Sequence, residues 1–132
     1  MTIEIQKEWF SLEQCLENPN KLYVFGDNMI RRGKGGQASI REAANSIGLA
    51  TKRLPSMSVA SFFSDKEDEY CIVEEDIEKI LSEMQKDLRY DTLVLPFDGL
   101  GTGLSQMPEK SPELFEHMVT IIEDKLNITY RQ

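Results

Sequence analysis

Two glycine-rich stretches carry the residue types that can do chemistry. The first, GDNMIRRGKGG at 26–36, sets Asp27 and Asn28, then Arg31 and Arg32, then Gly33, Lys34, Gly35 and Gly36, with Gln37 next, between an apolar run and a pattern that reads as helical. Glycines let the backbone approach a ligand closely and take positive φ. Free amides at a helix N-terminus attract an anion, an effect worth about 0.3–1 kcal/mol per charge when exposed. The second stretch, PFDGLGTGLSQM at 96–107, alternates Gly99, Gly101 and Gly103 with Leu100, Thr102 and Leu104. That alternation suits a backbone cradle around a phosphate, with the Thr102 and Ser105 hydroxyls as further donors. Two cradles on one sheet edge can grip a diphosphate from both sides. Asp27 and Asp98 are the carboxylates at the expected mouth, able to activate water or polarise a ribose hydroxyl. Asp27 and Asn28 equally suit pinning the turn through bonds to neighbouring backbone. Arg31 and Arg32 either meet the ligand or stand in solvent.

Better-known nucleotide and catalytic motifs fit less well. GKGGQA at 33–38 matches G-x-G-x-x-G/A, but it begins well beyond the strand that ends near Phe25. Lys52 and Arg53 stand where a ribose-binding acid is required. A P-loop needs Ser or Thr after Gly-Lys, and here Lys34 is followed by Gly35. His117 is the single histidine, which supports neither a metal constellation nor a Ser-His-Asp triad. No metal and no cofactor are expected. Cys15 and Cys71 lie far apart without a CxxC partner, as reduced buried thiols do.

These loops need elements to hold them. TIEI at 2–5 alternates as an edge strand, and SLEQCLENPN at 11–20 reads as a short helix capped by Ser11. KLYVF lacks polar alternation, the habit of a strand buried on both faces. From Gly36 to Ile47 the spacing of Ile40, Ala43, Ala44 and Ile47 predicts a helix closed by Gly48. Residues 49–70 read as one or two short strands. VEEDIEKILSEMQKDL predicts an amphipathic helix with Ile77, Ile80, Leu81, Met84 and Leu88 on its apolar stripe and Glu74, Glu75 and Asp76 at its N-terminal end. TLVLPF is a second buried strand, and Ser111-Pro112 opens a last helix. The sum is one α/β domain over 1–132, a three-layer α/β/α sandwich around a mixed, mostly parallel sheet. In such sheets ligands bind beyond the carboxyl ends of the strands.

The formal net charge of −8 opposes extended nucleic acid as a partner. A local cluster of Arg31, Arg32 and Lys34 can still attract a small anion. No apolar run approaches the roughly 20 residues that span a bilayer, so no membrane partner is expected. The N-terminal MTIEIQKEWF has no signal-peptide character, which predicts a cytoplasmic protein.

With YVFGDN and RRGKGGQASI preceding TLVLPFDGLGTGL, the chain resembles the macrodomain family of ADP-ribose-binding α/β/α modules, and within it the compact branch that includes deADP-ribosylating glycohydrolases. The resemblance spans about 22–48 and 74–126. It implies ADP-ribose or a related NAD-derived nucleotide as ligand, with the distal ribose near Asn28 and the diphosphate between residues 33–37 and 99–104. The family's early Gly-Asp pair for adenine has no counterpart before Lys21, and Phe62, Phe63 or Phe97 either stack on the base or sit in the core. The branch carries an aspartate where this chain has Ser105, and a nucleophilic lysine from the middle region, a part that Lys52 can play. The expectation is a nucleotide-binding domain. The alternative is a hydrolase acting on an ADP-ribosylated macromolecule, with Asp27, Asp98 or Lys52 doing the chemistry.

Overall fold

The computed structural model describes residues 1–98 and 100–130. Four strands, β1 (Thr2–Gln6), β2 (Lys21–Asn28), β3 (Ser46–Lys52) and β4 (Thr92–Pro96), form one sheet in the order β1-β4-β2-β3. Every pairing is parallel, which corrects the expected mixed sheet. Each strand returns to the same end of the sheet before the next begins, through α1 (Leu12–Glu17), a 3-10 turn (Gly36–Ile40) and α2 (Glu67–Lys86) in succession. The antiparallel contact among the described residues is an isolated bridge between Lys52, at the end of β3, and Phe62.

The unbroken apolar run of β2 reflects two cores. Leu22 and Val24 join Leu49, Leu93, Leu95 and the apolar faces of α2 and of α4 (Pro112–Leu126), whereas Tyr23 and Phe25 join Phe10, Cys15, Ile40 and Val94. Successive residues of a strand point to opposite faces, so a strand covered on both sides has no polar position to alternate with. Burial pushes the Cys15 thiol up to about 11. Cys71, by contrast, is exposed on α2, against the expectation that both thiols are buried.

Two local expectations are corrected. The helix from Gly36 to Ile47 shrinks to a five-residue 3-10 turn, because β3 begins at Ser46 and pairs it with Tyr23. Gly48 is therefore a strand residue opposite Phe25 and no helix cap. Second, α2 starts at Glu67, where the Glu69 carboxylate, fully buried, accepts the Ser64 and Lys66 backbone N–H groups at 2.8 and 2.9 Å. Glu74, Glu75 and Asp76 thus lie mid-helix, and Leu88, beyond the helix end, is 95% exposed. The middle region keeps one strand, β3, within the expected one or two, and then runs irregularly to a short 3-10 turn at Val59–Ser61. The opening strand, the Ser11 cap and the final helix stand as expected: the Ser11 hydroxyl accepts from Gln14 N, and Leu114, Met118, Val119 and Ile122 of α4 are buried. No helix of the described residues is long and apolar enough to cross a membrane.

Candidate functional site

Because all four strands run parallel, their carboxyl ends meet at one edge, and an open cleft of about 110 Å³ lies there. Every strand end contributes: Trp9 follows β1, Asp27 and Asn28 end β2, Thr51 and Lys52 end β3, and Gly103, Leu104 and Ser105 follow β4. Arg32, Gly33, Gly35, Gly36 and Gln37 of the first glycine loop complete the wall, with Pro55 opposite.

Asp27 is committed to ion pairs. Its side chain is buried, and Arg41 grips both oxygens, Nη2 to Oδ1 at 2.5 Å and Nη1 to Oδ2 at 3.0 Å. Arg31 Nη1 approaches Oδ2 at 3.6 Å while its Nη2 holds Asp76 of α2 at 2.6 and 2.7 Å. Asp76 also accepts the Ala50 N–H at 2.8 Å, satisfying a donor on the outer edge of β3. Arg41 Nε in turn donates to the Gly33 carbonyl at 2.8 Å. Two arginines and two aspartates thereby rivet the glycine loop to β2, β3 and α2. Buried charges persist only when paired in this way.

Asn28 shapes the same loop. Its Nδ2 donates to the Arg32 carbonyl at 2.6 Å, and its Oδ1 accepts the Arg32 N–H at 3.4 Å. Gln37 ties three loops together: Oε1 accepts the Phe10 N–H at 2.9 Å, and Nε2 donates to the Asp98 carbonyl at 3.4 Å. Positive φ is required at Gly33 (94°) and Gly36 (59°), which only glycine takes without strain. Among the described residues the backbone N–H groups of 33–36 meet no acceptor within the protein.

The remaining charges in the cleft are cationic. Lys52 is 6% exposed, yet its Nζ meets only the Ser56 carbonyl at 2.7 Å, Met57 Sδ at 3.4 Å and the Phe62 ring at 5.0 Å, with no carboxylate partner among the described residues. Burial pushes the Lys52 pKa down. Arg32, exposed in the same cleft lining, likewise pairs with no described carboxylate. With Asp27 neutralised by its arginines, the cleft presents net positive charge although the chain as a whole carries −8. The buried hydroxyl of Ser105, another lining residue, has no hydrogen-bond partner, alone among buried side-chain polar atoms of the described residues. Leaving a buried hydroxyl unpaired costs about 1–3 kcal/mol.

Several predicted site residues lie elsewhere. Lys34 points out to pair with Glu42 at 2.6 Å. Leu100 is buried in the main core, and Gly101, at φ 90°, makes room for Met107, Phe115 and Met118. Thr102 donates to Asp98 Oδ1 outside the cleft, so neither side chain faces the cavity. Gly99 falls outside the described residues. Phe63 is core, Phe62 lies beneath Lys52 and Lys110, and Phe97 borders a separate apolar hollow. Trp9, Arg41 and Asp76 were not singled out as site residues by sequence reasoning. The signal for Trp9 was a solitary tryptophan just past a strand end, whereas Arg41 and Asp76 were hidden inside segments read as ordinary helix.

The model of the family of unknown function DUF7831 matches residues 5–121. The chain belongs to this family. The match takes in the whole cleft, from Trp9 to Ser105. No curated protein and no solved structure matches the chain.

Proposed function

We propose that the cleft binds ADP-ribose or a related NAD-derived nucleotide, with the diphosphate between Arg32, Lys52 and the free N–H groups of 33–36. The observation that carries this reading is the uncompensated Arg32 and Lys52 pair in an otherwise acidic chain. A buried lysine with no carboxylate costs stability, and an anionic ligand supplies the missing partner. The resemblance of YVFGDN and DGLGTGL to macrodomain loops supports ADP-ribose in particular, and with it a macrodomain-like three-layer fold acting in the cytoplasm. Asn28 serves this role by closing the loop on which the ribose rests, and Asp27 by holding that loop to the sheet. Calorimetric titration with ADP-ribose, NAD and cyclic ADP-ribose isomers tests the proposal. Saturable heat with ADP-ribose that disappears in Lys52→Met supports it, and no binding up to millimolar ligand contradicts it.

A second reading, hydrolysis of an ADP-ribose bond on protein or nucleic acid, is favoured by one residue. Lys52 lines the cleft without a carboxylate partner among the described residues, and burial lowers its pKa, both of which suit the nucleophilic lysine that the resemblance implies. Release of ADP-ribose from modified protein or DNA, abolished in Lys52→Arg with binding retained, would establish it.

A further inference from the structure

Trp9, the chain's single tryptophan, stands 69% exposed on the cleft rim. Facing it across the glycine loop is Leu104, 56% exposed. Between them the floor is glycine: a side chain on Gly36 would come within 3.8 Å of both Trp9 Cζ3 and Leu104 Cδ1, and one on Gly35 within 3.5 Å of Leu104 Cδ1. The result is a slot with two apolar walls and a backbone floor, continuous with the cationic part of the cleft. The indole is exposed, but its backbone is anchored. The next residue, Phe10, is buried edge-on against Tyr23 at 5.3 Å, and its N–H is held by Gln37 Oε1 from the glycine loop itself.

We infer that Trp9 is a stacking platform for a flat aromatic ring of the ligand, held against Leu104 over Gly35 and Gly36 while the ligand's anionic groups lie at Arg32 and Lys52. The inference rests on the nucleotide reading above and adds where the base goes. It also narrows the ligand class to nucleotides over plain sugar phosphates. Phe62 and Phe63 are buried and Phe97 borders a different hollow, so among the described residues Trp9 is the one aromatic side chain in the cleft lining. Base stacking on an aromatic ring is worth about 1–3 kcal/mol, or roughly 5- to 150-fold in affinity.

The test measures ADP-ribose affinity by calorimetry for the unmodified chain, Trp9→Ala and Trp9→Phe, with thermal melts to check folding and intrinsic fluorescence of the sole tryptophan as a second readout. The expected result is fluorescence quenching on binding, affinity about tenfold or more weaker in Trp9→Ala, and affinity within about threefold of the unmodified chain in Trp9→Phe. Equal affinity for the unmodified chain and Trp9→Ala, or equal losses in both variants, would overturn the stacking role and leave the nucleotide reading standing. Absence of ADP-ribose binding to the unmodified chain would overturn both.

Discussion

The carboxylate of Asp27 fills the space that a side chain on Gly48 would need. A Cβ on Gly48 would lie 2.8 Å from Asp27 Cβ and closer still to Oδ2, on the adjacent strand. Gly48 is therefore glycine for room, since its φ is not in the left-handed range. Gly48→Ala must push Asp27 away from Arg41 and Arg31, combining overpacking with a disturbed buried ion pair. We expect a loss of about 3 kcal/mol in chemical denaturation.

Asp27 acts through the loop it anchors. Asp27→Asn removes the charge that compensates Arg41, and breaking a buried pair on one side costs about 3–5 kcal/mol. The expected result is strong destabilisation in Asp27→Asn and in Arg41→Ala, with the double variant losing less than the sum of the two. Additive losses in that cycle would show that the pair is energetically silent.

Lys52 predicts a pH dependence of binding. Burial holds its folded-state pKa below the ordinary 10.5, so the amine loses its proton earlier than an exposed lysine would. Anion affinity should fall as pH rises toward 10.5, and Lys52→Arg, which stays charged, should flatten that fall. Stability has the opposite sign: between the lowered folded pKa and 10.5 the unfolded chain binds more protons, so the Lys52 contribution improves as pH rises. Calorimetry and melts across about pH 7 to 10 read both effects.

Gln37 predicts a local effect that conservative substitution can isolate. Gln37→Ala leaves the buried Phe10 N–H without its acceptor, at a cost of about 1–3 kcal/mol, and should abolish hydrogen-exchange protection of that amide. Gln37→Glu keeps an acceptor oxygen and should keep the protection.

The parallel strands were legible because Leu22 to Phe25 and Leu93 to Leu95 carry no polar alternation, which marks burial on both faces. The edge that carries the cleft followed from the same fact, since parallel strands present all their carboxyl ends together. The segment from Gly36 to Gly48 misled because apolar spacing of three and four fits a helix and a turn feeding a strand equally well. Pairing of β3 with β2, a non-local constraint, decided it. Pinning of the turn by Asp27 and Asn28 was legible from their residue types, but the distant partners that complete it were not. Arg41 and Asp76, which complete the loop's support, stand 14 and 45 residues from the groups they bind. Of the second glycine loop, Gly103 and Leu104 reached the cleft, whereas Leu100 and Gly101 went to the core because α3 (Met107–Lys110) and α4 pack directly against them.

The most direct test of the central claim is titration of the isotope-labelled chain with ADP-ribose, followed by amide chemical shifts. Saturable shifts confined to Trp9, Asn28, residues 32–37, Thr51, Lys52 and 103–105, around the Arg32 and Lys52 pair, are predicted. Shifts centred instead on the apolar hollow at Phe97, Pro108 and Phe115, or none at millimolar ligand, would contradict it.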